Sequence, residues 1–310
     1  MVTRVALSMT LFWGSLAAGA FARRRGWLQA EGSRRMIQWM ITLLEPVIIA
    51  LSFWRLDLSS WRILWLPAVG CAIAAAALPP AWLAGRWLRL SRREMGSWLP
   101  CAFFSNLGYL GAFVAFALYG ESAFSLAQLY MLFFTPCFYT LGFWLAAHYG
   151  GRSSAGHAAS LSNPEDLRWY PLTGMLIGVA LNLLRVPRPA WCGPLNSALI
   201  PSATAMYLVA VGSRLRVTRV AAHWRPCLAM SAIKFAWLPA VGWLLARAAG
   251  LTDLPLRVTL LEAAMPVATM PLMLPLLFDV DGELANHVWI VTTVLAAPLL
   301  PLLVWALGRL

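Results

Sequence analysis

The stretch "SNLGYLGAFVAFALYG", residues 105–120, lies inside a long apolar run, yet it has an asparagine as its second residue and carries three glycines. A helix surrounded by lipid gains nothing from a buried amide, because the amide's polar atoms must find partners there. Glycine also costs helix stability, since it loses the most backbone freedom on ordering. The stretch therefore predicts an interruption within a membrane helix.

The composition places the whole chain in lipid. Of its 310 residues, 61% are hydrophobic and only 12% are charged, and the mean hydropathy is +0.71. A soluble domain is about a quarter charged. The net charge of +12 comes from arginines in short loops between apolar runs, a pattern typical of cytoplasmic membrane loops rather than of nucleic-acid binding. The five cysteines form no CxxC pair, so they indicate neither a disulfide nor a metal site.

Ten apolar runs are long enough to cross a bilayer, which takes roughly 17–25 residues. Arginines concentrate in the loops after the odd-numbered runs, which predicts that these loops are cytoplasmic and that both termini lie outside the inner membrane. The predicted spans are 5–21, 36–53, 62–83, 98–119, 122–147, 169–184, 194–212, 227–248, 258–278 and 285–307.

The span count and one short sequence match predict an inverted repeat. A polar connection at 151–168 separates a first five-helix repeat, residues 1–150, from a second, residues 169–310. Because five is odd, related halves face opposite ways, and Arg55-Leu56 in one half aligns with Arg214-Leu215 in the other. The predicted fold is all-α and polytopic, with ten transmembrane helices in two inverted repeats and broken, crossing helices four and nine.

The fourth and ninth spans carry the expected breaks at matching depth. Asn106 and Pro266 each lie about nine residues into their spans from opposite faces, roughly 12 Å deep. Proline removes a backbone donor, and the freed amides and half-helix N-termini favour an anion. The alternative interpretation is that the glycines only permit close packing and the prolines only kink the helices. The residues predicted to bind substrate are Asn106, Gly108, Gly111, Phe113, Pro266, Thr269 and Pro271.

Several motifs resemble the auxin efflux carrier family, in the bile/arsenite/riboflavin transporter superfamily. "NLGYLGAFVAFALYG" is similar to its fourth-helix pattern, with Asn106, Gly111 and Gly120 in register, and "AAMPVATMP" matches its ninth-helix pattern at Pro266 and Pro271. "NPEDLRWYPLTGMLIGVALNLLRVPRP", "YLVAVGSRLRV" and "IKFAWLP" resemble its later signatures, so that the resemblance covers most of the chain.

The resemblance implies two inverted five-helix halves, transport of a small organic anion such as a dicarboxylate or a weak aromatic acid, and often a homodimer. It also implies a mobile part beside a scaffold of helices one, two, six and seven. One position departs from the family pattern: Phe113 stands where the family has its helix-four crossover proline. This departure leaves the substrate class, and any effect on function, open.

Three ionisable residues fall inside predicted spans: Glu45, Lys234 and Glu262. A charge at the bilayer centre costs about 2.5–3.5 kcal/mol on insertion scales, so each should face a cavity or a partner. One interpretation gives a coupling proton to Glu45 or Glu262 and a compensating charge to Lys234. The other has Glu262 hydrated near the interface, Lys234 snorkelling, and Glu45 capping the break at Pro46.

The chain lacks a phosphate-binding glycine loop and any set of residues for nucleophilic catalysis, so the sequence predicts a transporter rather than an enzyme, with no cofactor. Coupling to H⁺ or Na⁺ is left open. The alternatives are a sodium-coupled carrier of the bile-acid-symporter type and a non-transporting, receptor-like protein on the same fold.

Overall fold

The computed structural model describes residues 2–57, 60–150, 169–214 and 223–307. The predicted connection at 151–168 lies outside these described residues, as does Leu215 of the predicted repeat match. Apart from one isolated bridge, the regular structure in these ranges is helical. The α-helices are α1 Val2–Arg24, α2 Ala30–Trp39, α3 Glu45–Trp54, α4 Leu66–Ala75, α5 Leu78–Trp87, α6 Arg92–Phe103, α7 Phe113–Tyr119, α8 Glu121–Tyr130, α9 Phe134–Cys137, α10 Phe143–Gly150, α11 Trp169–Leu183, α12 Cys192–Gly212, α13 Trp224–Ala232, α14 Leu238–Ala248, α15 Asp253–Ala263 and α16 Gly282–Leu307.

Many of these helices run on into one another, and six continuous helical stretches among the described residues are long and apolar enough to cross a membrane. They are Ala30–Trp54, Trp61–Trp87, Glu121–Gly150, Cys192–Gly212, Trp224–Ala248 and Gly282–Ala306. Two apolar helices are shorter, Leu107–Tyr119 and Tyr170–Leu183. Large apolar side chains remain exposed, among them Trp87 at 83% and Leu276 at 81%. Apolar surface of this extent suits lipid, as the composition predicted.

Proline explains two of the wider turns inside these stretches. A π-helical turn at Met40–Leu44 precedes Pro46, and another at Ile233–Trp237 precedes Pro239. Proline removes one helical hydrogen bond and its ring crowds the carbonyl four residues earlier, so the preceding turn widens. Lys234 lies within the second of these turns.

The helices form two compact units that are interleaved along the sequence. Unit 1 comprises Met1–Ser60, Gly108–Gln128 and Asn163–Arg216, and unit 2 comprises Trp61–Leu107, Leu129–Ser162 and Val217–Leu310. The chain therefore passes from one unit to the other within the Asn106 region and again within α8.

Unit 1 is built on two parallel helix pairs held together by glycines. A Cβ atom on Gly19 of α1 would overlap the backbone of Val209 in α12, and one on Gly212 of α12 would overlap the carbonyl group of Leu16. In the second pair, α3 against α11, Gly178 faces Ala50 in the same way. Small residues let membrane helices approach until their backbones touch, which supplies the packing energy that water cannot supply in lipid.

Unit 2 encloses α6, which packs against α5, α10 and α16. A reciprocal capping box between Ser91 and Glu94 starts the helix. The buried Trp98 on α6 donates its indole N–H to the carbonyl oxygen of Ala81 at 2.7 Å. The helix ends at Phe103, three residues before Asn106 of the opening stretch.

The glycine contacts generate a prediction. Replacing Gly19 with alanine should destabilise the protein by about 1–3 kcal/mol, because the added methyl group meets backbone atoms that cannot move aside. Thermal unfolding of the purified protein measures the change. The control is Gly14→Ala in the same helix, where a Cβ has nothing within 4 Å, and which should leave stability unchanged or slightly raised. Equal effects at the two positions would contradict the close packing of α1 on α12.

Candidate functional site

Two interrupted helices meet in unit 2. After α6 ends at Phe103 and α15 ends at Ala263, the extended residues Ser105 and Val267 form an antiparallel bridge. Its two hydrogen bonds run from the backbone N–H of Asn106 to the carbonyl oxygen of Pro266, at 2.7 Å, and from the N–H of Ala268 to that of Phe104, at 3.0 Å. The breaks at Asn106 and Pro266, which the sequence placed in different halves, are thus paired directly.

Side chains complete the pairing of backbone groups around this bridge. The hydroxyl of Thr292, on α16, accepts the N–H of Val267 at 3.2 Å. The ammonium group of Lys234 donates to the carbonyl oxygen of Ala102, in the last turn of α6, at 2.6 Å. Helix ends leave such carbonyls without partners, and in a membrane each must be satisfied within the protein.

The predicted binding residues occupy different positions around the bridge. Asn106 is only 6% exposed, and none of the described residues hydrogen-bonds its side-chain amide. Pro266 accepts from Asn106 through its carbonyl, Thr269 is half-buried, and Pro271 lies buried in a 3₁₀ turn.

The helix-four break lies at residues 104–106, before the glycines. Gly108 and Gly111 instead lie in a π-helical turn at Leu107–Ala112, and the buried Phe113 begins α7. The break therefore does not require a proline at position 113, since the carbonyl of Phe104 and the N–H of Asn106 have already left the helical pattern to bond the other segment.

Lys234 is fully buried, at 0% exposure, and links the π-helical turn Ile233–Trp237 to the end of α6 by hydrogen bonds. Besides the carbonyl of Ala102, its ammonium group donates to the hydroxyl of Ser105 at 2.8 Å. A side chain held this way cannot reach the membrane surface. Of the two interpretations offered for Lys234, the geometry therefore favours a role inside the protein over snorkelling.

Glu262 is also 0% exposed, and neither of its carboxyl oxygens has a hydrogen-bond partner among the described residues. It lines a cavity of about 10 Å³ together with Ser105 and Tyr130. That volume suits about one water molecule or a small cation. The carboxyl group thus faces a small space beside the paired breaks.

Glu45 belongs to the other unit. It is half-buried at the start of α3, directly after the π-helical turn. It lies within electrostatic range of Tyr109, whose ring stacks on that of Tyr207 with a centroid distance of 3.4 Å. Of the three ionisable residues predicted from the sequence, Lys234 and Glu262 belong to unit 2 and Glu45 to unit 1.

The sequence analysis missed a buried polar cluster in unit 1, centred on Glu121. The helix before it ends at Gly120, whose φ of +81° suits glycine, and α8 begins at Glu121. The carboxylate accepts from both terminal nitrogens of Arg188, at 2.5 and 3.1 Å, and from the amide of Asn196, at 2.6 Å. Arg55 lies 3.6 Å away. From the sequence, Arg188 counted only as a loop charge and Arg55 as a loop charge and part of the repeat match, but a lone acid directly after a helix-ending glycine was a usable signal.

Two histidines also come together in unit 2. The Nδ1 atoms of His223 and His287 lie 2.9 Å apart, and Glu94 is 3.8 Å from His223. In the described part of the chain, no group of three His, Cys, Asp or Glu side chains could hold a metal ion.

The Glu121 cluster generates a second prediction. Glu121→Gln should destabilise the protein by about 3–5 kcal/mol, because it leaves the largely buried Arg188 guanidinium without its counter-charge. The matched control is Glu31→Gln, which removes an exposed pair with Arg35 on one helix face and should cost at most about 0.5 kcal/mol. Both variants are compared by thermal unfolding. A Glu121→Gln effect as small as that of the control would show that the cluster contributes little to unit 1.

A family model described as membrane transport protein matches residues 15–304. An uncharacterized transporter of Methanothermobacter thermautotrophicus is 26% identical over 280 residues, covering 89% of this chain and 90% of its own length. An uncharacterized transporter of Methanocaldococcus jannaschii is 26% identical over 292 residues, with the same two coverages.

The family match spans nearly all of the chain, and it describes a class of multi-pass membrane transporters rather than of enzymes. The chain therefore belongs to the membrane transport protein family, the auxin efflux carriers that its motifs resemble.

Proposed function

We propose that this protein is a secondary active transporter that moves a small organic anion, such as a dicarboxylate or a weak aromatic acid, by alternating access around the paired helix breaks. The observation that carries the proposal is the unengaged side-chain amide of Asn106 at the bridge between the two breaks. The side-chain atoms of Asn106 are not among the fully buried polar atoms that lack a partner, so the amide keeps some accessible surface at which a ligand could bind.

The charges around Asn106 favour an anion. The helix Leu107–Tyr119 begins directly after Asn106, and the N-terminal end of a helix carries a partial positive charge. The buried amino group of Lys234 adds hydrogen-bond donors beside the same break, and its protonated form would add a positive charge. Asn106 would supply a hydrogen bond to one carboxylate oxygen, while these charges offset the cost of bringing the carboxylate out of water.

The two glycine-mediated helix pairs of unit 1 support the proposed inverted repeat. In a ten-span, two-repeat numbering, α1 is span one and α12 is span seven, whereas α11 is span six and α3 is span two. The first pair is therefore span one with span seven, and the second is span six with span two. Because spans one and two correspond to spans six and seven, swapping the two repeats turns one pair into the other. This is the relation that an inverted repeat requires.

The same topology accounts for which helix ends contact each other. Arg55, Glu121 and Arg188 follow spans two, four and six, which all end on the outer face in the proposed orientation. Arg23 and Ser213, which follow spans one and seven on the cytoplasmic face, are joined by a hydrogen bond of 2.9 Å. Each contact links ends that the proposed orientation places on one face.

Thermal stabilisation by a panel of organic acids tests the proposal. A ligand at a hundred times its dissociation constant adds about 2.7 kcal/mol of stability, enough to read from the melting temperature. We expect at least one dicarboxylate or aromatic acid to stabilise the purified protein and Asn106→Ala to lose that response. The same acid should show saturable uptake into proteoliposomes containing the native protein.

The matched control is Asn182→Ala. The Asn182 amide donates to three backbone carbonyls of unit 1, at 2.7–3.0 Å, so its loss should lower the melting temperature while leaving the response to the acid intact. If the acid stabilises Asn106→Ala as much as the native protein, it binds elsewhere. If no acid in the panel binds or is transported, the organic-anion proposal is wrong.

A further inference from the structure

The end of α6 offers neutral oxygens that suit a cation. The carbonyl oxygen of Ala102 lies in the last turn of the helix, where the backbone dipoles place a partial negative charge, and the Ser105 hydroxyl lies just beyond. Unwound carbonyls and helix C-terminal ends are the groups with which broken transporter helices coordinate sodium. In this chain both oxygens accept hydrogen bonds from one ammonium group, that of Lys234, at 2.6 and 2.8 Å.

A buried carboxyl group lies across the small cavity beside Ser105. Glu262 lines the same small cavity as Ser105, is 0% exposed, and has both oxygens unpartnered within the described chain. A carbonyl, a hydroxyl and a carboxyl group form an oxygen set typical of hard cations. Lys234 and Glu262 form no ion pair within the described residues. The carboxyl group therefore stays available to another cation or to a proton.

The electrostatic balance of the region requires a positive charge. Both α6 and α15 end at the bridge, so two partially negative helix ends converge there, together with the Glu262 carboxyl group. A mobile cation would meet this requirement only while it is bound. The protonated side chain of Lys234, from the π-helical turn Ile233–Trp237, meets it with a group that belongs to the chain and cannot diffuse away.

We propose that the Lys234 ammonium group occupies the cation site of the paired breaks and does within the chain what a bound sodium ion would do in a sodium-coupled carrier. Binding and transport by this protein are then independent of sodium. Removing the lysine side chain opens a site for a small monovalent cation, with the Ala102 carbonyl, the Ser105 hydroxyl and the Glu262 carboxylate as its ligands.

The consequence for transport depends on the proposed function, whereas the cation site itself does not. Its test therefore measures cation binding without any organic acid. A failure here leaves the organic-anion proposal standing, and a failure of the acid panel leaves this proposal standing.

The first arm uses the native protein. Its melting temperature is measured in sodium chloride, lithium chloride and choline chloride at equal ionic strength. We expect the three values to agree, because the ammonium group already fills the site. A saturable, sodium-specific rise in the melting temperature would overturn the proposal without any variant being made.

The second arm uses Lys234→Ala and Lys234→Met in the same salts. Alanine leaves the most room for an ion, and methionine keeps the apolar stem in case the alanine variant does not fold. We expect sodium or lithium to raise the melting temperature of at least one variant by about 3 °C over choline, in a saturable way. Lys234→Arg, which keeps the positive charge, should show no such response.

The double variant Lys234→Ala/Glu262→Gln tests whether the Glu262 carboxylate binds the cation. It should lose the sodium response, because the amide cannot supply the carboxylate charge that holds the ion. A folded Lys234→Ala or Lys234→Met protein without any cation response would overturn the proposal, as would a response that survives Glu262→Gln. If both lysine variants fail to fold in every salt, the native arm decides through the presence or absence of sodium-specific stabilisation.

Discussion

The structure depends on one constraint: a backbone that leaves its helix inside a membrane must find new hydrogen-bond partners within the protein. Two segments that each lack a regular helix meet this constraint by pairing with each other. The N–H of Asn106 bonds Pro266 and the N–H of Ala268 bonds Phe104, while Thr292 takes the N–H of Val267. Either break alone would leave backbone groups without hydrogen-bond partners, so each segment stabilises the other. The surrounding helices hold the two segments together.

The charged residues follow from this pairing. Ending two helices at one place leaves free carbonyl groups and two negative dipole ends, which favour a buried cation there. Lys234 supplies it from a π-helical turn that Pro239 induces in its own helix. A wider turn moves a side chain off the ordinary helical face, and such turns occur often at functional sites. Local backbone chemistry in one helix thus supplies the charge that the break in another requires.

Much of this could be predicted from the sequence. Apolar run length gave the all-helical membrane fold, and the asparagine, glycines and prolines marked both breaks, because these residues act locally on the backbone. The exact position of the first break could not be predicted. Residues 104–106 contain neither glycine nor proline, and they leave the helix only because the segment around Pro266 offers hydrogen bonds. The Glu121 cluster was missed for the same reason, since its partners Arg188 and Asn196 are more than 60 residues away.

The two buried carboxyl groups differ in how their oxygens are partnered. Glu121 in unit 1 is bonded by Arg188 and Asn196, which is the arrangement expected of a group that fixes structure. Glu262 in unit 2 is more deeply buried and has no hydrogen-bond partner among the described residues. An unpaired buried carboxyl group lowers stability and adds nothing to packing. Its position beside Ser105 and the small cavity places this destabilising group at the paired breaks, and natural proteins accept such local costs at functional sites.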